Sequence, residues 1–146
     1  MATTLSVIIV RRGIITLGHC GDTRIALQRG NGIKQLTRDH TEARRLFDAG
    51  KLTKSEYLHY PRRNILDSAL GIARDPIIDV IEVECLPGDR LFATSDGAHG
   101  KLFLREMKAL SDATRSAQEF IDLAIHAIEA RSPDDNFSIA AVFIPQ

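Results

Sequence analysis

The chain has 146 residues, 44% of them hydrophobic, and its 19 basic and 19 acidic side chains cancel to a formal charge of zero. That length fits one domain with a real core, and the neutral balance removes any global electrostatic case for nucleic acid or an anionic membrane as partner. No apolar run is long enough to span a bilayer, Leu5–Val10 is too short for a signal-peptide core, and the lone cysteines Cys20 and Cys85 form no CxxC pair, which points to a reduced, cytoplasmic chain.

Taken in order, Thr3–Arg11 is rich in β-branched residues and reads as a strand. It begins almost at Met1 with no lead-in, so a neighbouring segment is expected either upstream or from another chain, because an unpaired apolar edge is an aggregation hazard. Arg12-Gly13 makes a tight turn into a second strand, Ile14–Gly18. Gly21-Asp22 interrupts, Thr23–Gln28 resumes as strand, and Asn31-Gly32 announces a hairpin closed by Ile33–Leu36. The first quarter is thus expected to be an antiparallel meander.

From Asp39 the period changes. Glu42–Ala49 sets Ala43, Leu46 and Phe47 on one helical face, with Gly50 behind it. Thr53-Lys54-Ser55-Glu56 has capping-box spacing and opens a short second helix that ends before Pro61. Asn64–Gly71 leaves helix and strand open. Ile77–Leu86 alternates and reads as strand, and Leu91–Thr94 is expected to pair back with it across the Pro87-Gly88-Asp89 turn. Lys101–Leu110 reads as a short helix. Ser116-Ala117-Gln118-Glu119 opens the clearest helix, Ala117–Ala130, whose apolar face carries Phe120, Leu123, Ala124, Ala127 and Ile128. Phe137–Ile144 is a last strand. Strands, then helices, then strands with short antiparallel links argue for an α+β fold in a single domain, 1–146.

Chemistry concentrates in three acidic turns. Asp22 follows the second strand, Asp96 ends the apolar run Leu91–Ser95, and Asp134-Asp135-Asn136 precedes the last strand. A carboxylate at a strand end serves as a cap of the next turn or as a ligand of a metal ion. Oxygen-only partners suit magnesium or manganese rather than zinc, and His19, His40, His59, His99 and His126 show no zinc-ligand spacing. There is no P-loop, GxGxxG or GxSxG motif.

Five short motifs then occur in a telling order: Gly21-Asp22-Thr23-Arg24, Leu36-Thr37-Arg38-Asp39-His40, Ala69-Leu70-Gly71, Pro87-Gly88-Asp89 through Ser95-Asp96-Gly97, and Asp135-Asn136. In this order they resemble the successive motifs of the metal-dependent type 2C serine/threonine protein phosphatases, bacterial branch. The resemblance implies a sandwich of two antiparallel β-sheets flanked by helices. It also implies two Mn2+ or Mg2+ ions that activate a water against a phosphoserine or phosphothreonine protein. By position, Asp96 and Asp135 match metal ligands and Asp22 matches a ligand of a third, weaker metal site. Asn136 and Gly97 would support the ligands. Residues 40–63 match a helical flap, where Arg62 and Arg63 would meet a phosphopeptide or form only a solvated basic turn.

Two departures set the functional expectation. The family's earlier segment, with the Asp-Gly motif that bridges both metals, has no match here, so the domain reads as N-terminally incomplete. Gly100 stands where Ser-Asp-Gly-x-x-Asp would place its second aspartate. The chain is therefore expected to be the C-terminal portion of such a phosphatase, inactive or weakly active alone. The alternative is a pseudophosphatase that binds or regulates a protein without turnover. A homodimer or a complementing chain would cover what is exposed.

Overall fold

A computed structural model of the chain describes residues 1–72 and 75–146. Seven strands and five helices occur among them: β1 (Leu5–Arg11), β2 (Ile14–Cys20), β3 (Arg24–Arg29), β4 (Gly32–Gln35), α1 (Glu42–Asp48), α2 (Lys54–Leu58), β5 (Asp79–Glu84), β6 (Arg90–Thr94), α3 (Asp96–His99), α4 (Leu104–Asp112), α5 (Ala117–Glu129) and β7 (Ile139–Phe143). The strands form two antiparallel sheets, ordered β1-β2-β5 and β4-β3-β6-β7. This is the expected α+β class. The residues divide into two compact units, 1–23 with 38–83, and 24–37 with 84–146.

The first unit is built on the β1-β2 hairpin, in register from Leu5↔Cys20 to Arg11↔Ile14. Strand alternation sends Ile15, Leu17 and His19 inward, where all three are buried. The opposite face is unusual. Leu5, Val7 and Ile9 of β1, Ile14 of β2 and Val80 of β5 lie on it, and each is 43–69% exposed. Apolar side chains side by side on one sheet face normally sit under something. Helix α1 starts at Thr41, whose side chain accepts from the Arg44 amide, and α2 starts at Thr53 with the full capping box to Glu56 that its spacing predicts. Tyr60 donates to Glu42, and Phe47 packs on Tyr57 at 4.9 Å, so the helical segment holds itself together.

The second unit has a continuous apolar core under its four-stranded sheet. Ala26 and Phe92 from the sheet meet Leu102 from the link between α3 and α4, and Ala98, Met107, Phe120, Ala124 and Ile128 from the helices. Phe92 and Phe120 pack with their rings tilted, 4.5 Å between centres, and Phe143 is edge-on to Phe92 at 6.2 Å. Helix α5 buries Phe120, Ala124 and Ile128, spaced by four, while Leu123, expected on that face, is 43% exposed at its rim. Beyond the core, Asp89 is 1% exposed and takes two bonds from the Arg29 guanidinium, at 2.9 and 2.8 Å, and one from the Leu86 amide.

Two pairings differ from expectation. The chain does not run as a meander: the β1-β2 and β3-β4 hairpins belong to different sheets, separated at Gly21, whose φ of 122° suits only glycine. A Cβ there would also sit 2.3 Å from Thr4 Cγ2. Nor does β6 pair back onto β5. Its partners are β3 and β7, because the Pro87-Gly88-Asp89 turn is engaged elsewhere: Gly88 donates to the Ile144 carbonyl, Ile144 to that of Asp89, and Arg29 takes the Asp89 carboxylate.

Candidate metal centre

Asp96 is delivered by β6, one of the two inner strands of the four-stranded sheet. Ser95 occupies the cap position of the one-turn helix α3, and Asp96 is its first residue. Asp135 lies in the polar loop between α5 and β7 and is exposed, whereas Asp96 is half-buried. Each carboxylate accepts through Oδ1 from the following amide, Gly97 at 2.9 Å and Asn136 at 2.7 Å. Asp96 thus shows the first of the two chemistries open to a strand-end carboxylate: it accepts from its own turn through Oδ1.

The two turns are sewn together. The Ser95 amide donates to the Ser138 carbonyl at 3.0 Å, and the Ser138 amide returns a bond to Ser95 Oγ at 2.9 Å. Gly97 then passes so close to the second loop that a Cβ on it would lie 2.3 Å from the Asn136 carbonyl oxygen. Glycine is required here by contact rather than by backbone angle. The loop is fastened at its other end as well. Asp134 pairs with Lys101 at 2.8 Å, which holds its carboxyl below the usual range, and Arg131 donates to Glu106 and to the Lys101 carbonyl. Turns that meet through Ser95 and Ser138, 43 residues apart in sequence, are thereby held as one surface. Ser138, Lys101 and Arg131 were not legible as part of it, since nothing in their local sequence names a partner. Ser95 stood inside its motif without a role.

The other expected residues lie in the first unit. Asp22 is half-buried in the link after β2. Arg62 is engaged by Glu42 at 2.9 Å within the helical segment, and Arg63 reaches the Leu58 carbonyl at 3.5 Å, so both basic side chains have structural employment there.

Asp96 and Asp135 offer hard oxygen donors on a fixed frame, which is the chemistry a Mg2+ or Mn2+ ion requires. Their number falls short: among the described residues no group of three or more His, Cys, Asp or Glu side chains is placed to hold a metal ion. No helix among them is long and apolar enough to cross a membrane.

No family model matches the sequence. A protein phosphatase 2C-type protein of Streptococcus pyogenes is 33% identical over 147 residues, covering 97% of this chain and 58% of that protein. The Streptococcus agalactiae serine/threonine phosphatase structure matches with a TM-score of 0.93 at 26% identity, over 99% of this chain and 60% of that one. The catalytic domain of the serine/threonine protein phosphatase PstP, solved with two manganese ions, matches with a TM-score of 0.81 at 26% identity, over 98% of this chain and 59% of that one. The chain spans 56–58% of the length of the curated relatives it matches.

Proposed function

We propose, on the premise that this chain is part of a type 2C (PPM) serine/threonine protein phosphatase domain, that it contributes Asp96 and Asp135 to a Mn2+ or Mg2+ centre for hydrolysis of phosphoserine or phosphothreonine proteins. The observation that supports this most is the joint between the two turns, in which Gly97 lies against the Asn136 carbonyl and Ser95 and Ser138 exchange bonds. Such a joint fixes two oxygen ligands relative to each other before any ion arrives.

When bound, the ions would lower the pKa of a water and offset phosphoryl charge. What this chain's residues do is hold the ligand turns and keep glycine where the backbones touch. Asp22 is proposed as a contributor to a weaker ion site, and Arg62 and Arg63 as contacts for a phosphoprotein. Two carboxylates in the second unit are too few for firm binding, so the chain alone is proposed to be inactive or weakly active. The exposed face of β1, β2 and β5 supports a complementing chain or a second copy as partner. A cytoplasmic setting belongs to the same reading, with Cys20 and Cys85 both free.

The alternative, a non-catalytic pseudophosphatase that binds a protein partner, is favoured by the same shortage of ligands and by Gly100. Turnover of a phosphothreonine peptide at about 1 mM Mn2+, beside an Asp96→Asn control, separates the two. Turnover abolished by the substitution shows a working centre. A folded chain with no turnover, yet with calorimetric Mn2+ binding lost in Asp96→Asn with Asp135→Asn, leaves an incomplete centre. Mn2+ binding that survives both substitutions overturns the assignment.

A further inference from the structure

The Leu36-Thr37-Arg38-Asp39-His40 motif has no part in the centre described above, yet its histidine is 8% exposed and fully engaged. The His40 amide donates to the Gly21 carbonyl at 2.7 Å, and the Gly21 amide donates back to His40 Nδ1 at 3.2 Å. The other ring nitrogen, Nε2, meets Asp79 Oδ2 at 3.0 Å at the start of β5. The His40 carbonyl accepts from the Asp67 amide at 2.9 Å, and the next residue, Thr41, caps α1. One residue therefore bonds the Gly21-Asp22 turn, β5 and Asp67, and leads directly into the Thr41 cap of α1.

A backbone amide can only donate. Nδ1 must therefore be an unprotonated acceptor, and the ring proton must sit on Nε2, facing the Asp79 carboxylate. His19, with its ring centre 4.9 Å away, is itself tied to Ser6 Oγ and the Arg38 carbonyl and closes the other side. A serine or amide side chain at position 40 would reach one of these partners but not both.

We infer that His40 is a positioning residue: its neutral, Nε2-protonated imidazole fixes the Gly21-Asp22 turn and the start of α1 as one piece. The inference rests on the proposed function only for what Asp22 does there. The clamp itself is tested on the metal-free 146-residue chain, without turnover, so its failure and that of the phosphatase reading are distinguishable.

Nitrogen-15 NMR should find His40 in the Nε2–H tautomer, with a through-hydrogen-bond coupling between the Gly21 amide nitrogen and Nδ1. His40→Asn, whose Oδ1 replaces Nδ1, should keep the Gly21 amide protected from exchange. His40→Gln, which reaches only toward Asp79, should speed that exchange about tenfold, as loss of one hydrogen bond implies. His40→Ala should speed exchange at Gly21 and at Arg44 and Arg45 of α1 together. An Nδ1–H tautomer, an absent coupling, or equal exchange at Gly21 in the Asn and Ala variants overturns the inference. If the variants do not fold, the tautomer and coupling of the unsubstituted chain decide it.

Discussion

The two units keep their shapes by different means. The second is a sheet with helices on one apolar core, in which Phe92, Phe120, Leu102 and Ile128 are at most 1% exposed. Both units bury polar groups, the second Gln28, Thr37, Asp89, Thr94, Ser111 and Thr114. Among the described residues, however, only the first buries histidines, His19 and His40, beside Asp39, Thr41 and Ser68 around Ile15 and Leu17, and it leaves a row of large apolar side chains in water. Apolar burial is non-directional and insensitive to pH, whereas a buried polar network holds only while every donor and acceptor is matched. The second unit should therefore respond to lost volume, and to protons only in strong acid through Asp89, whereas the first should respond to protons closer to neutrality.

The largest effect should come from Phe120→Ala. It removes a fully buried ring packed on Phe92 and should cost about 3–5 kcal/mol in urea unfolding. A loss below about 1 kcal/mol would break the comparison, since a core able to refill that space is not the close-packed one described. Gly97→Ala comes next. Its methyl group must displace the Asn136 carbonyl or the Asp96 turn, at about 1–3 kcal/mol by analogy with overpacking. It should weaken Mn2+ binding in calorimetry while leaving the β1-β2 hairpin spectrum unchanged.

The smallest and most selective effect is acid titration. Burial pushes the His19 pKa below its ordinary 6.5. The folded chain then holds fewer protons at this site than the unfolded one between the two values. Stability is intact above about pH 6.5 and declines as pH falls from there toward the lowered folded value. Amide exchange should accelerate in β1 and β2 over that window. Asp89 behaves oppositely in range: the Arg29 bond lowers its pKa, so what it contributes is lost only in stronger acid, as pH falls below the usual carboxylate value. If both units loosen at one pH, the proposed division between them fails.

Elements with a local cause were legible in the sequence. The Thr53–Glu56 box, the Asn31-Gly32 hairpin and α5 each depend on residues within a few positions, and each formed where expected. The sheet partners of β5 and β6 were not. Pro87-Gly88-Asp89 is a competent hairpin turn, but residues 29 and 144 claim its amide and carboxylate, and nothing near the turn signals such distant partners. The site divides the same way. Asp96, Gly97 and Asp135 could be singled out from ordered motifs. The closeness of Gly97 to the Asn136 carbonyl and the ties through Ser138, Lys101 and Arg131 emerge only from the fold.

The row formed by Leu5, Val7, Ile9, Ile14 and Val80 bears on how the protein behaves in a tube. With a net charge of zero there is little long-range repulsion to keep two such faces apart at neutral pH. Sulfate or phosphate salts, which strengthen apolar contact, should bring the purified chain out of solution at lower concentration than chloride does. A single lysine in place of Val7, at the centre of the exposed row, should raise its solubility limit without touching the buried side of the sheet.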